Sequence, residues 1–535
     1  MPTRGFVRGV TIGAELVLAF IVVGGAAVRM VSLPLYTPDS GDEWGNTIAP
    51  FRVLFERGDP GTFFHPSLFY YLTAAVFAAV FALAKLIGVV DNSVSMTDLF
   101  FLDERVFVFA ARAVSVACAL LAMWALYALT KSLWGRTAGL AAAALLAVFP
   151  LHVLYSETVR VDSLFVLVFI YAFSQIVQIL KRSDRRTYAT AGVWTGLATG
   201  ANYNGAVLAL WLTAAHVTRR REIASTVSTR TLGLALCLMV VSFVVSSPFV
   251  FLNLETFAQN FGFISGLSMS VHPGWEERSG ALFYLEDLTR THPVLAVTIG
   301  LSSIAILLFG TRLERFVLSL PVGYAIIFSL FPSKDERFIL PAIVMFLLVA
   351  AGLPLVASRP WRSRWVRLTG SSLSWALLFG SIGAMASSSL FRVPGATHHI
   401  LTRPDRVLFD WIEAHVLPRS TILVESGIVQ VIDTMNEPGH FAAALRKSVI
   451  TVRPQLNHEF IGAVYIGGRN YSPALVENSS IDYAIISPRN VAYIETRCDM
   501  FPEVCAFYRA LQARADVVFE TPNHVEPVVI YRLRH

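Results

Sequence analysis

Charge is what this sequence has least of. Lysine, arginine, aspartate and glutamate together make up 15% of its 535 residues, where an ordinary soluble domain carries about 25%. With 55% apolar residues and a mean hydropathy of +0.59, one soluble core cannot absorb the apolar surface, so most of it must face lipid. Long runs of like charge are missing too. The formal charge of +6 comes from short basic clusters between apolar runs, a pattern that the positive-inside rule explains and that does not point to nucleic acid. No nucleotide fingerprint occurs: YIGGRN, at 465–470, lacks the G-x-G-x-x-G spacing. No inverted repeat is visible, which weighs against a transporter. Cysteine is scarce, at four. Cys118 and Cys237 lie inside apolar runs as packing residues, while the spacing of Cys498 and Cys505 permits a local disulfide if that part of the chain is exported.

What the sequence does have is a series of apolar runs, near 10–31, 68–90, 105–130, 138–154, 162–180, 188–201, 203–217, 231–251, 293–310, 316–331, 338–357 and 370–390. The first has basic flanks and is long enough to span a bilayer, so it reads as a transmembrane helix rather than a cleavable signal. Lys131 and Arg136, Lys181 to Arg186, Arg219 to Arg230, Arg312 and Arg315, and Arg359 to Arg367 fall in alternate loops. They share one side with Arg4 and Arg8 only if 68–90 does not cross. That run, with Lys85 able to snorkel, is therefore expected to be a juxtamembrane or re-entrant helix on the outer face. About eleven spans result, with the N-terminus cytoplasmic and the C-terminus periplasmic across the plasma (inner) membrane.

From about Thr397 the pattern changes. TILVES, SVITVRP, AVYIGG, DYAIIS, DVVFET and PVVIYRL read as short strands, and 403–416 and 500–514 as amphipathic helices. The expected fold is a polytopic α-helical membrane protein with a C-terminal soluble α/β domain. Residues 1–395 form the membrane domain, its first outer loop (32–104) carrying juxtamembrane helices, and 396–535 form the outer domain. That domain either helps recognise an acceptor or is a structural cap.

This topology collects the ionisable residues on the outer face, where intramembrane and interfacial charges are costly and mark function. Asp42 and Glu43 open the first outer loop. Arg105, Arg112, Arg160, Lys334 and Arg337 stand at helix ends. Arginine forks suit phosphate oxygens and lysine adds a point charge. Cations at the lipid boundary beside a carboxylate fit glycosyl transfer from a lipid-borne sugar phosphate: a carboxylate removes the proton of an acceptor hydroxyl as it attacks the anomeric carbon, and the cations stabilise the departing phosphate. One base with direct attack gives inversion. Asp42 is the first candidate base, and its type also suits a helix N-cap over 43–57. Glu43 is the second candidate, or holds a cation. Arg112 and Arg337 either bind phosphate or snorkel. Asp162 orients Arg160 or Arg112, or contacts the acceptor.

Four stretches carry a family resemblance: GDEW (41–44), HPSLFYYL (65–72), the long segment 110–164 with Arg112 and the Arg160–Asp162 pair, and PSKDERFILP (332–341). In order and membrane side they resemble the lipid-phosphate-sugar-dependent glycosyltransferases of the membrane-embedded GT-C class, closest to the protein O-mannosyltransferase and aminoarabinose transferase superfamily. The resemblance covers 10–357. It implies transfer of one sugar from an undecaprenyl- or decaprenyl-phosphate carrier to a glycan, lipid or protein acceptor on the periplasmic face, with Arg112, Arg160, Lys334 and Arg337 toward the donor. Some relatives bind a metal, for which His65 and His272 are the matching positions. They fit zinc with a carboxylate better than an oxygen-rich magnesium site. The sequence departs from the pattern at Ser67, where relatives have a second proline, at His65, where the aminoarabinose transferase has lysine, and near Asn202 and Tyr203, where many relatives have a lysine. Tyr203 and His65 are kept as acceptor-side or orienting residues. The alternatives are a polyprenyl-lipid transporter or flippase, which the absent repeat disfavours, and a non-catalytic envelope assembly protein, which the retained charges disfavour.

Overall fold

The computed structural model describes residues 4–32, 41–222, 228–269, 279–359, 364–391, 404–425, 434–435, 439–453, 455–456, 458–463, 473–477, 481–496, 498, 502–521 and 528–534. The chain divides into two compact units. The first is Met1–Pro34, Gly58–Val76 and Ala110–Ala396; the second is Leu35–Arg57, Phe77–Phe109 and Thr397–His535. The second unit is therefore assembled from three stretches of chain, two of them from the first loop.

In chain order the helices up to residue 391 are α1 (Arg4–Ser32), α2 (Gly41–Phe55), α3 (Leu68–Leu86), α4 (Met96–Leu102), α5 (Arg105–Trp134), α6 (Arg136–Val148), α7 (Pro150–Ser156), α8 (Asp162–Lys181), α9 (Arg185–Ala201), α10 (Leu208–Glu222), α11 (Thr229–Ser246), α12 (Phe249–Leu252), α13 (Leu254–Ser268), α14 (Gly280–Thr291), α15 (Pro293–Phe309), α16 (Arg312–Ser329), α17 (Leu340–Ala351), α18 (Leu353–Ala357) and α19 (Arg364–Phe391). Among the described residues six of them, α1, α3, α5, α8, α11 and α19, are long and apolar enough to cross a membrane. The pair α6 and α7, bent by 61°, would make a seventh. α3 meets that criterion on length and composition, so its expected place along the outer face rests on charge parity.

Two packing devices shape the first unit. Gly192, Gly196 and Gly200 form a stripe on α9; a Cβ at the first two would run into the backbone of α11 at Ala235 and Met239. Small residues at this spacing let two membrane helices approach backbone to backbone. At the break between α6 and α7, Pro150 starts the new helix and leaves carbonyls of the old one without intrahelical partners. Side chains from elsewhere satisfy two of them: Arg29 Nη1 donates to Ala147 O at 2.9 Å and Ser389 Oγ to Val148 O at 2.9 Å. In lipid an unsatisfied carbonyl is costly, so the bend is held by α1 and α19.

In the second unit the strands are β1 (Thr421–Glu425), β2 (Glu459–Ala463), β3 (Tyr483–Ile486), β4 (Ala515–Glu520) and β5 (Val529–Leu533), in one sheet of order β2-β1-β3-β5-β4. β1 pairs parallel with β2 and β3, and β5 runs antiparallel to β3 and β4. The central strands are buried throughout, whereas the edge strand β4 exposes Val517 and Val518. Helices Pro404–His415, His440–Val452, Pro473–Glu477, Pro488–Glu495 and Pro502–Arg514 accompany the sheet. Cys498 and Cys505 form a disulfide. The stretch SVITVRP, read from its β-branched residues as a strand, is instead the end of the helix His440–Val452. The buried residues there, Phe441, Ala442, Leu445, Ser448 and Val449, recur at helical spacing, and packing overrides the weak β propensity of the local residues. AVYIGG meets a strand only at Ala463, the end of β2; its remainder lies outside the described residues.

α2 belongs to this unit and is a poor helix by its own composition. It contains Gly45 and an internal Pro50, residues that disfavour a helix interior by about 1 and about 3 kcal/mol. An isolated helix of 15 residues is marginal in water even for good formers. What holds it is burial: Thr47, Ala49 and Phe51 are 0% exposed and Ile48 3%.

Candidate active site

Asp42 and Glu43 lie in the first turn of α2, where carboxylates favour the exposed N–H groups and the positive end of the helix dipole. The helix starts at Gly41, so Asp42 sits inside the first turn rather than ahead of a helix beginning at 43. Adjacent helical residues point about 100° apart, since a turn takes ~3.6 residues. Accordingly Asp42 is exposed while Glu43 is fully buried. Both carboxylates have interaction partners.

The segment after α2 is strapped down in the first unit. Asn253 Nδ2 donates to Asp59 Oδ2 at 2.9 Å, Phe63 N to Asn260 Oδ1 at 2.8 Å, and Ser67 N to Ser247 Oγ at 3.0 Å. The Tyr203 hydroxyl donates to Phe63 O at 3.1 Å, and its ring meets those of Phe257 and Phe261. Tyr203 thus holds the backbone two residues before His65, which is half-buried. His272 lies outside the described residues. Among the described residues no group of three or more His, Cys, Asp or Glu side chains could hold a metal ion.

The cations converge elsewhere in the first unit. α7 ends at Ser156 and α8 begins at Asp162; the turn between them carries Arg160, whose guanidinium lies 5.2 Å from the Tyr155 ring centroid. Ser115 Oγ of α5 donates to Arg160 O at 3.3 Å. Arg112, one turn earlier on that face of α5, is 1% exposed and has partners of its own. Far along the chain, Asp335 caps the 3-10 turn Glu336–Ile339 by accepting from Arg337 N at 2.9 Å, and its carboxylate meets Arg337 Nε at 3.1 Å. Lys334, beside it, is 6% exposed. Tyr155 lies within the electrostatic reach of both stretches, acted on by Asp335, Arg160, Asp162 and Arg337. Asp162 in turn acts on Tyr324, and Asp335 on Tyr284.

Arg160, Asp162 and Arg337 thus lie in the first unit, all within electrostatic reach of Tyr155, whereas Asp42 and Glu43 lie in the other unit. Sequence reasoning passed over Tyr155, Tyr284 and Tyr324, which look like any interfacial aromatics in a linear reading. The Tyr324 hydroxyl is buried with no hydrogen-bond partner among the described residues. Arg29 was also passed over. It is 0% exposed and donates to Ser156 Oγ at 2.8 Å, His152 Nδ1 at 2.9 Å, Gly25 O at 2.9 Å and Ala147 O at 2.9 Å. It thereby braces α7, which leads into Arg160 and Asp162.

Residues 96–246, which include Arg112, Arg160, Asp162 and Tyr203, match the family model described as dolichyl-phosphate-mannose-protein mannosyltransferase. No curated protein matches the chain by sequence. Among solved structures, ArnT from Cupriavidus metallidurans bound to undecaprenyl phosphate superposes with a TM-score of 0.56 at 16% identity, over 96% of this chain and 97% of that one. The apo oligosaccharyltransferase of Archaeoglobus fulgidus does so with 0.52 at 11% identity, over 98% of this chain and 74% of that one. The chain is thus a multi-pass membrane protein that shares its fold with ArnT and with the archaeal oligosaccharyltransferase, and its residues 96–246 resemble the dolichyl-phosphate-mannose-protein mannosyltransferase family.

Proposed function

We propose that the protein is an inverting glycosyltransferase that moves a single sugar from a polyprenyl-phosphate carrier to an acceptor hydroxyl on the outer face of the membrane. The reading rests on two cationic stretches remote in sequence, one with the Arg160 guanidinium 5.2 Å from the Tyr155 ring and one with Arg337 next to the nearly buried Lys334, whose arginines both act electrostatically on Tyr155. Such cations suit an anchored phosphate, and the structure of ArnT that shares this fold was determined with undecaprenyl phosphate bound. In the reaction Asp42 accepts the proton of the acceptor hydroxyl while its oxygen bonds to the anomeric carbon. The bond from that carbon to the phosphate oxygen breaks, its electron pair stays on the phosphate, and the guanidinium and ammonium groups stabilise the charge that develops there. The products are the glycosylated acceptor and polyprenyl phosphate. Arg337 is already ion-paired with Asp335, so donor phosphate competes with an aspartate for one fork.

Lys334→Ala and Arg337→Ala are each expected to weaken use of a polyprenyl-phosphate donor ten- to a hundredfold, the ~1.5–3 kcal/mol of a charged hydrogen bond, and to affect folding less than donor use. Steady-state kinetics in nanodiscs over a donor series check this; parent-like donor dependence in both variants would remove the phosphate role. A disulfide at Cys498–Cys505 supports an oxidising, extracytoplasmic side for the C-terminal region. Single cysteines at Asn92 and Thr229, both exposed, test the sidedness in a background without Cys118 and Cys237. An impermeant thiol reagent on intact cells is expected to label position 92 and spare 229; the reverse pattern would overturn the orientation.

A further inference from the structure

The second unit contains an arrangement that the chemistry above does not use. α2 carries Asp42 and Glu43, yet Gly45 and Pro50 make it unfit to hold its own shape. It is gripped along its length by residues from far down the chain. Near its start Trp44 Nε1 donates to Thr434 Oγ1 at 3.3 Å. At its middle the Phe51 ring stacks on Phe441 with centroids 5.1 Å apart and planes 16° from parallel, in a cluster that also takes in Phe77, Phe100 and Phe107. Just past its end Glu56 Oε1 accepts from Phe441 N at 2.8 Å.

The last contact is reciprocal. The helix His440–Val452 has Gly439 as its N-cap, with no side-chain cap of its own. Glu56 supplies the missing acceptor, a carboxylate at the end of the helix that wants one. Gly439 makes the approach possible: its φ is +127°, a region that side-chain-bearing residues rarely adopt, and a Cβ there would meet the Glu56 carboxylate. A second tie, Ser448 Oγ to Thr97 Oγ1 at 2.9 Å, joins the same helix to α4. Each helix thus completes the other.

We propose that Thr434 and the helix His440–Val452 act as a clamp that sets the position of α2, making Glu56 and Phe441 positioning residues for the carboxylate pair. The assignment of catalysis to that pair rests on the proposed transferase reading; the clamp itself rests on the contacts. A base displaced by about 1 Å can lose a hundredfold in rate while substrate still binds, so the clamp should act on turnover rather than on donor affinity.

The test uses the full-length protein in nanodiscs, with hydrogen–deuterium exchange and steady-state turnover on polyprenyl-phosphate sugars measured in parallel. Glu56→Ala and Phe441→Ala are expected to raise exchange over 41–57 by about tenfold and to lower kcat roughly ten- to a hundredfold, with donor KM held within about twofold. Glu56→Gln keeps an acceptor oxygen for Phe441 N–H and is expected to stay near the parent in both readouts. Exchange over β1 and β3 reports whether the sheet survives; if Phe441→Ala loses it, Glu56→Ala at the half-buried end of the contact decides. Parent-like exchange over 41–57 in the variants overturns the clamp, as does raised exchange with undiminished kcat. A parent that transfers no sugar from any polyprenyl phosphate refutes the transferase reading instead, and exchange alone then decides the clamp.

Discussion

Asp42→Asn is expected to leave the fold and donor binding intact and to lower turnover by about 10² to 10⁴, the contribution of a positioned general base. Asp42 is exposed on the first turn of α2. Asparagine keeps an oxygen for the exposed N–H groups of the helix start, so the substitution separates proton transfer from helix support. Glu43→Gln is expected to behave differently. Glu43 is 0% exposed, and altering a buried, partnered carboxylate disturbs hydrogen bonds before it disturbs chemistry. A lower melting temperature with a milder loss of turnover is the expected result. If purified Asp42→Asn transfers sugar at the parent rate while Glu43→Gln is inactive, the two roles are exchanged. If both stay active, a single-base mechanism is wrong.

The second large effect concerns Arg29. Replacing it with methionine leaves the Ala147 carbonyl, the Ser156 hydroxyl and His152 Nδ1 without the donor they share, in surroundings where water cannot substitute. Leaving a buried polar group without its partner typically costs about 1–3 kcal/mol, and a loss of at least that order is expected on denaturant unfolding in detergent. Arg29→Lys keeps the charge but not the planar fork that reaches several acceptors at once, so it should recover only part. Because α7 leads directly into Arg160 and Asp162, the methionine variant should also bind donor less well. Unfolding of Arg29→Met at the parent denaturant concentration would show that the bend at Pro150 stands without it.

Much of this was legible in the linear chain, and for identifiable reasons. Strands β1, β3, β4 and β5 fall in TILVES, DYAIIS, DVVFET and PVVIYRL, because short β-branched runs flanked by turn residues carry a local signal. The helices Pro404–His415 and Pro502–Arg514 announce themselves by amphipathic spacing. SVITVRP misled because its β-branched residues lie at the end of a helix whose burial pattern extends over residues before it. Tyr155, Tyr324 and Arg29 gave no signal, since nothing in their own neighbourhoods distinguishes them from belt aromatics or a flanking cation.

The sequence by itself determined that the chain lives in a membrane and that most of the basic residues of its first 390 positions gather between apolar runs, because solvation of charge is decided residue by residue. It also marked Asp42, Glu43, Arg160, Lys334 and Arg337 by type and place. Only the tertiary structure decided that Tyr155 lies in the electrostatic reach of both Arg160 and Arg337, that Glu43 is buried while Asp42 is not, and that α2 is held by a helix from the far end of the chain. Those are contacts between residues remote in sequence, and their energy comes from packing and shared hydrogen bonds that no local pattern of residues encodes.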